Sequence, residues 1–148
     1  MNLAHWLDRR AAATPEAPAL FAGIRQVADY AAFAGQARAV AAWLRLRGVQ
    51  PGDRVGLLMR NDPAYLVVLY GIWMCGAVAV PINAKLHPRE VAYIVEDSGV
   101  SLVFASPDLV EAVAQAGAEA ICTPGAAFVA CLAAAPVAAI QERGLDDL

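Results

Sequence analysis

The side chains able to do chemistry gather at a few points, each just after a short apolar run. They are Arg60, Asn61 and Asp62, then Asn83, Lys85 and His87, then Ser106, then Thr123. A hydroxyl becomes a nucleophile only beside a base, and nothing in the sequence assembles Ser106 or Thr123 with one. His5 and His87 each lack a second histidine three or four residues on, so both read as surface or capping residues and neither as a metal ligand. Cys75, Cys122 and Cys131 form no C-x-x-C pair. Cys75 stands at a helix C-terminus, where the dipole does not favour a thiolate, and reads as inert core. Trp6, Trp43 and Trp73 share helical spacing with other apolar residues and are also assigned to the core. Glu96 and Asp97 read as a solvated helix end.

Two phosphate-binding signatures are missing. A dinucleotide turn needs glycines so that backbone N–H groups approach a pyrophosphate, and neither the 60–63 nor the 83–86 segment contains one. Gly71 and Gly76 have P-loop spacing, but Ala77 follows where lysine must stand. From the residues alone no nucleophile is paired with a base, and no metal set converges.

The elements that must carry these groups follow from composition and punctuation. The 148 residues are 59% hydrophobic and 17% charged, which excludes disorder and supports one compact domain. Alanine accounts for 34 of them, so the bulky core must come from Val, Ile, Leu and aromatic positions. Residues 1–60 hold eight arginines against four acids, and residues 61–148 three basic residues against ten acids. Neither half has a basic run interleaved with aromatics, so nucleic acid is excluded as a partner. The first ten residues place charge after a very short apolar stretch, the reverse of an export signal, and with the cysteine pattern this indicates a cytoplasmic protein. Pro63 to Ala84 is uncharged for 22 residues, long enough to span a bilayer, but Asn61-Asp62-Pro63 opens a helix and Gly76 closes it. The remaining helix is too short to span.

A helix carrying Leu3, Trp6, Leu7 and Ala11 ends at Thr14-Pro15. Ala19–Phe21 and Ile24–Val27 flank Gly23 as a hairpin. Asp29 caps a helix whose face is Tyr30, Phe33, Ala34, Ala37, Ala41 and Leu44, and which stops at Gly48. Then strands and helices alternate: Val55–Met59, Pro63–Cys75, Ala77–Ile82, Pro88–Asp97, Ser101–Ala105, Pro107–Ala116 and Glu119–Cys122. The strands are continuous apolar runs, as in sheets covered on both faces. The expected fold is α/β, an open, mainly parallel sheet with helices on both faces. Residues 1–122 form its α/β subdomain. Residues 123–148 are an Ala-rich tail with one weak helix, about Ala126 to Ala134.

Several segments together resemble one family. Gly48-Val-Gln-Pro-Gly-Asp-Arg-Val55, Arg60-Asn-Asp-Pro63, the run from Tyr70 through Gly76-Ala77 to Pro81-Ile-Asn-Ala-Lys-Leu86, and Pro88 to Glu96-Asp-Ser-Gly99 are similar in order and spacing to the N-terminal region of adenylate-forming enzymes, acyl-CoA synthetases in particular. The likeness covers roughly residues 2–105. It departs from the family where Ala28-Asp29-Tyr30 opens the second helix in place of the usual Thr or Ser with Tyr.

The resemblance implies a parent enzyme that condenses a carboxylic acid with ATP, using magnesium, and passes the acyl group to coenzyme A. It implies that Lys85 contacts a coenzyme A phosphate. The family's Ser/Thr/Gly-rich phosphate loop, acidic metal and ribose residues and C-terminal lysine are absent, and Gly144 to Leu148 is similar to the stretch directly ahead of that loop. The expectation is therefore a chain with no catalytic or metal residue of its own, inactive alone, with nothing bound and with a tendency to form homo-oligomers. The competing reading is a non-catalytic binding or scaffolding module of the same fold. An amino-acid adenylation domain shares this region, but a helix directly behind Met1 suits a free-standing ligase better.

Overall fold

In the computed structural model, which describes residues 2–137 and 139–144, thirteen elements follow one another. Helix α1 (His5–Ala13) leads to a hairpin of β1 (Pro18–Ala22) and β2 (Arg25–Asp29), then α2 (Tyr30–Leu46). Next come β3 (Arg54–Leu58), α3 (Pro63–Cys75), β4 (Val78–Pro81), α4 (Pro88–Ser98) and β5 (Leu102–Ala105). A 3-10 turn (Pro107–Leu109) precedes α5 (Val110–Gln115), β6 (Glu119–Cys122) and α6 (Ala126–Leu132).

The helix limits have local causes. Asp29 accepts from the Ala32 N–H at 2.7 Å to open α2, and Asp62 accepts from the Ala64 N–H at 2.8 Å to open α3. Gly76 and Gly99 end α3 and α4 at positive φ, where a side chain would be strained. The expected single helix over 107–116 is split, because Pro107 and the Ser106 carbonyl, which accepts from Leu109 N–H, begin it as a 3-10 turn.

The four parallel strands lie in the order β4-β3-β5-β6. Alternate residues serve opposite faces. Val55, Leu57, Leu102 and Phe104 pack with α2, α3 and α6, while Leu58, Val103 and Ala105 pack with α4 and α5. The expected open parallel sheet with helices on both faces is what the chain forms. Gly56 lets the second face close: a Cβ there would lie 2.8 Å from Val103 Cγ2. Gly71 does the same for the α2–α3 contact, where a Cβ would meet Val40 at 2.5 Å.

Helix α1 corrects one expectation. Ala4 and Leu7 are buried, whereas Leu3 and Trp6 are exposed, Trp6 by 62%. Leu3 and Trp6 occupy a neighbouring helical row, and only one row of so short a helix can face α2. Trp43 and Trp73 are partly buried and pack against the core. After Cys122 the chain returns over the α2–α3 face, and Phe128, Cys131 and Ile140 join that core.

Candidate functional site

Where a crevice opens at the carboxyl ends of these strands depends on which face each following helix takes. The chain leaves β3 for α3 on one face, and leaves its neighbours β4 and β5 for α4 and α5 on the other. Loops therefore diverge on both sides of β3.

The crevice between β3 and β5 is bridged. Ser106, buried, accepts from the Arg60 N–H at 2.9 Å through Oγ, and the Arg60 guanidinium pairs with Asp108, Nε to Oδ2 2.9 Å. The hydrogen bond and charge of Arg60 hold the Asp108 carboxyl below its ordinary value. Ser106 is thus a structural acceptor. Thr123 is likewise occupied, its hydroxyl donating to Ile121 O at 3.1 Å.

The crevice between β3 and β4 stays open. It is a groove of about 670 Å³ walled by Met59 to Asn61 on one side and Pro81 to Lys85 on the other, with Tyr65 also in its lining. Asn83 Oδ1 accepts from the Lys85 N–H at 2.9 Å, which tightens the β4–α4 loop and sets the lysine on the rim. Lys85 is the single lysine of the sequence, is exposed, and has no side-chain partner among the described residues. Asn61 and Tyr65 also line a second, adjoining groove of about 630 Å³ against β1.

Of the sequence candidates, Arg60, Asn61, Asn83 and Lys85 come together at one groove. His87 does not join them: its Nδ1 accepts from Arg89 N–H while Glu90 accepts from His87 N–H at 2.9 Å, a capping box at the start of α4. His5 pairs with Glu142 at 2.7 Å on the surface. Cys75 is buried, and burial raises its thiol above the ordinary value despite nearby Arg45. Tyr65, which sequence reasoning missed, carries no motif; only the groove reveals it.

The groove can hold one anion at Lys85 against amide and aromatic walls. Among the described residues no three His, Cys, Asp or Glu side chains converge to hold a metal. Residues 145–148, part of the stretch expected to precede a phosphate loop, lie outside the described residues. No described helix is long and apolar enough to cross a membrane.

Comparison with known proteins gives the arrangement its context. Feruloyl-CoA synthase of an Amycolatopsis species is 39% identical over 113 residues, covering 76% of this chain and 23% of that protein. Long-chain-fatty-acid–CoA ligase FadD13 of Mycobacterium tuberculosis is 38% identical over 69% of this chain and 20% of its own length. The chain thus spans about a quarter or less of these curated relatives. The crystal structure of the N-terminal domain of FACL13 from Mycobacterium tuberculosis superposes with a TM-score of 0.88 at 30% identity, over 99% of this chain and 40% of that one. The fold is accordingly that of the N-terminal part of adenylate-forming enzymes. With the sequence profile described as "AMP-binding enzyme" matching residues 7–142, this chain belongs to the AMP-binding enzyme family.

Proposed function

We propose that the chain is the N-terminal α/β part of an acid–CoA ligase and that Lys85 contacts a phosphate of coenzyme A. In the proposed reaction a carboxylate oxygen attacks the α-phosphorus of ATP, and the bond to the departing pyrophosphate breaks. The thiol sulfur of coenzyme A then attacks the acyl carbon, loses its proton and expels AMP. In-line positioning and charge neutralisation dominate such chemistry. This chain supplies neither for the first step, so alone it is expected to be inactive.

Its own contribution is to binding. The Asn83 turn holds Lys85 at the rim, Arg60 is tied to Asp108 and so keeps the wall it shares with Asn61 in place, and Tyr65 completes the lining. The observation that carries the reading is the Lys85 ammonium, without a side-chain partner among the described residues, beside an open strand-end groove in a chain of this family. The relatives' names, feruloyl and long-chain fatty acid, support a small carboxylic acid as the parent's substrate.

Two measurements test it. The purified chain should catalyse no ATP–pyrophosphate exchange with any carboxylate, and exchange above a no-protein blank would overturn that part. In the complete ligase, acetylation of Lys85 by an amine reagent is followed on its own peptide by mass spectrometry. Coenzyme A should slow that labelling and dephospho-coenzyme A should slow it less. Equal labelling with and without coenzyme A would overturn the assignment.

A further inference from the structure

We infer that Asn2 is a positioning residue, a latch that seats the returning segment, at Gln141, against the carboxyl end of α3. The last turn of a helix leaves carbonyls without helical partners, and a buried end needs them filled. At α3 the Gly76 and Ala77 N–H groups serve Trp73 O and Ile72 O locally, and residues near both ends of the chain add further bonds. Asn2 Nδ2 donates to Trp73 O and to Gln141 O, the latter at 2.9 Å, while Asn2 Oδ1 accepts from Ala4 N–H at 2.9 Å. The Gln141 N–H donates to Met74 O at 3.0 Å, and Arg45 reaches the same carbonyl at 3.2 Å.

Asn2 is 5% exposed although it lies next to the chain end. Its two amide hydrogens and one acceptor site serve partners in three segments, 71, 139 and 2 residues away. Only a primary amide offers that set. Aspartate would aim oxygens at two carbonyls, and alanine would leave the Gln141 carbonyl and the Ala4 N–H without these bonds, at the cost of buried unpaired groups. The neighbours are fitted to the same seat. His5 Nε2 meets Glu142 at 2.7 Å, and a Cβ on Gly76 would lie 2.6 Å from Gln141 Cγ, so Gly76 both ends α3 and makes room for Gln141.

Gly52 and Gly76 lie just before β3 and β4, so this seat is at the amino ends of the strands and the Lys85 groove at their carboxyl ends. Altering Asn2 therefore cannot act through the groove by contact. Resting on the ligase reading, the latch fixes the direction in which the chain leaves residue 143 towards the rest of the parent enzyme.

The experiment is amide hydrogen exchange of the whole 148-residue chain read by NMR. Asn2→Ala and Asn2→Asp should each speed exchange of the Gln141 amide at least tenfold, with far smaller changes at Leu57 and Phe104 in the sheet. An unchanged Gln141 amide, or equal acceleration at all three, overturns the latch. If Asn2→Ala lowers overall stability too far to separate local from global opening, Asn2→Ser is read by the same criteria, because its hydroxyl can still accept from Ala4 N–H. In the complete ligase, Asn2→Ala should lower kcat for ATP–pyrophosphate exchange and leave KM for coenzyme A unchanged. A rise in that KM with kcat unmoved overturns the positioning role. A wild-type parent without exchange overturns the ligase reading, and the amide result decides the latch by itself.

Discussion

At Lys85, truncation separates two half-reactions. If the ammonium serves only a coenzyme A phosphate, Lys85→Ala in the complete enzyme raises KM for coenzyme A about two- to fivefold, the range of an exposed charge contact, and leaves adenylate formation unchanged. Steady-state kinetics of both half-reactions checks this, and equal loss in both would point to a structural role. The thiols behave differently because of burial. Cys131 is fully buried, which pushes its thiol up to about 12 from an ordinary value near 9. A folded-state value above the unfolded one stabilises in full below pH 9, and that contribution is lost as pH rises towards 12. The urea midpoint of the wild type should therefore fall between pH 9 and 10.5, and Cys131→Ala should show a shallower fall. An identical slope in the variant would contradict the burial. In the folded protein at pH 8, Ellman's reagent should reach the partly exposed Cys122 well before Cys75 or Cys131.

Among the elements, α2 and α3 share the most extensive contact, and Gly71 lets them approach. A methyl there needs space held by Val40 and by the Ala37 carbonyl, so Gly71→Ala should destabilise the fold by about 1–3 kcal/mol in urea unfolding, the usual cost of overpacking. Asp62→Ala, which removes the cap of the same helix, should cost about 1 kcal/mol. These helix ends were legible in the sequence because their causes are local: Asp29, Asp62 with Pro63, and Gly76 each act within a few residues. The buried row of α1 was not legible, because Leu3-Trp6 and Ala4-Leu7 are equally periodic and the choice is made by a distant helix, α2. The same holds for the site. Apolar runs mark the strand ends and so the candidates, but which crevice stays open depends on helix placement and on the Arg60–Asp108 bridge. Asn2 carried no signal at all, since its partners lie 71 and 139 residues away.

For the whole molecule, the question is what surface the sheet leaves available. Strands covered on both faces need layers on both, and the returning segment supplies part of one through Phe128, Cys131 and Ile140. The sheet edges are a separate matter. Among the described residues β4 and β6 each pair on one side only, and an unpaired edge invites a second chain. The two edges differ in protection. Glu119 at the start of β6 is held by Arg47, whereas β4 presents Val78, 37% exposed, guarded mainly by its four-residue length and by Pro81, which lacks an N–H. Exposed Phe21, Ile24, Leu46 and Trp6 add scattered apolar surface. We therefore expect the purified chain to self-associate through β4. Light scattering over a range of concentrations should show a mass that rises with concentration, and Val78→Lys, placing a charge on that edge, should lower it. A monomer at every concentration would show that the short strand and Pro81 suffice to close the edge. A mass unaffected by Val78→Lys would move the contact elsewhere, with the exposed apolar side chains as the remaining surface.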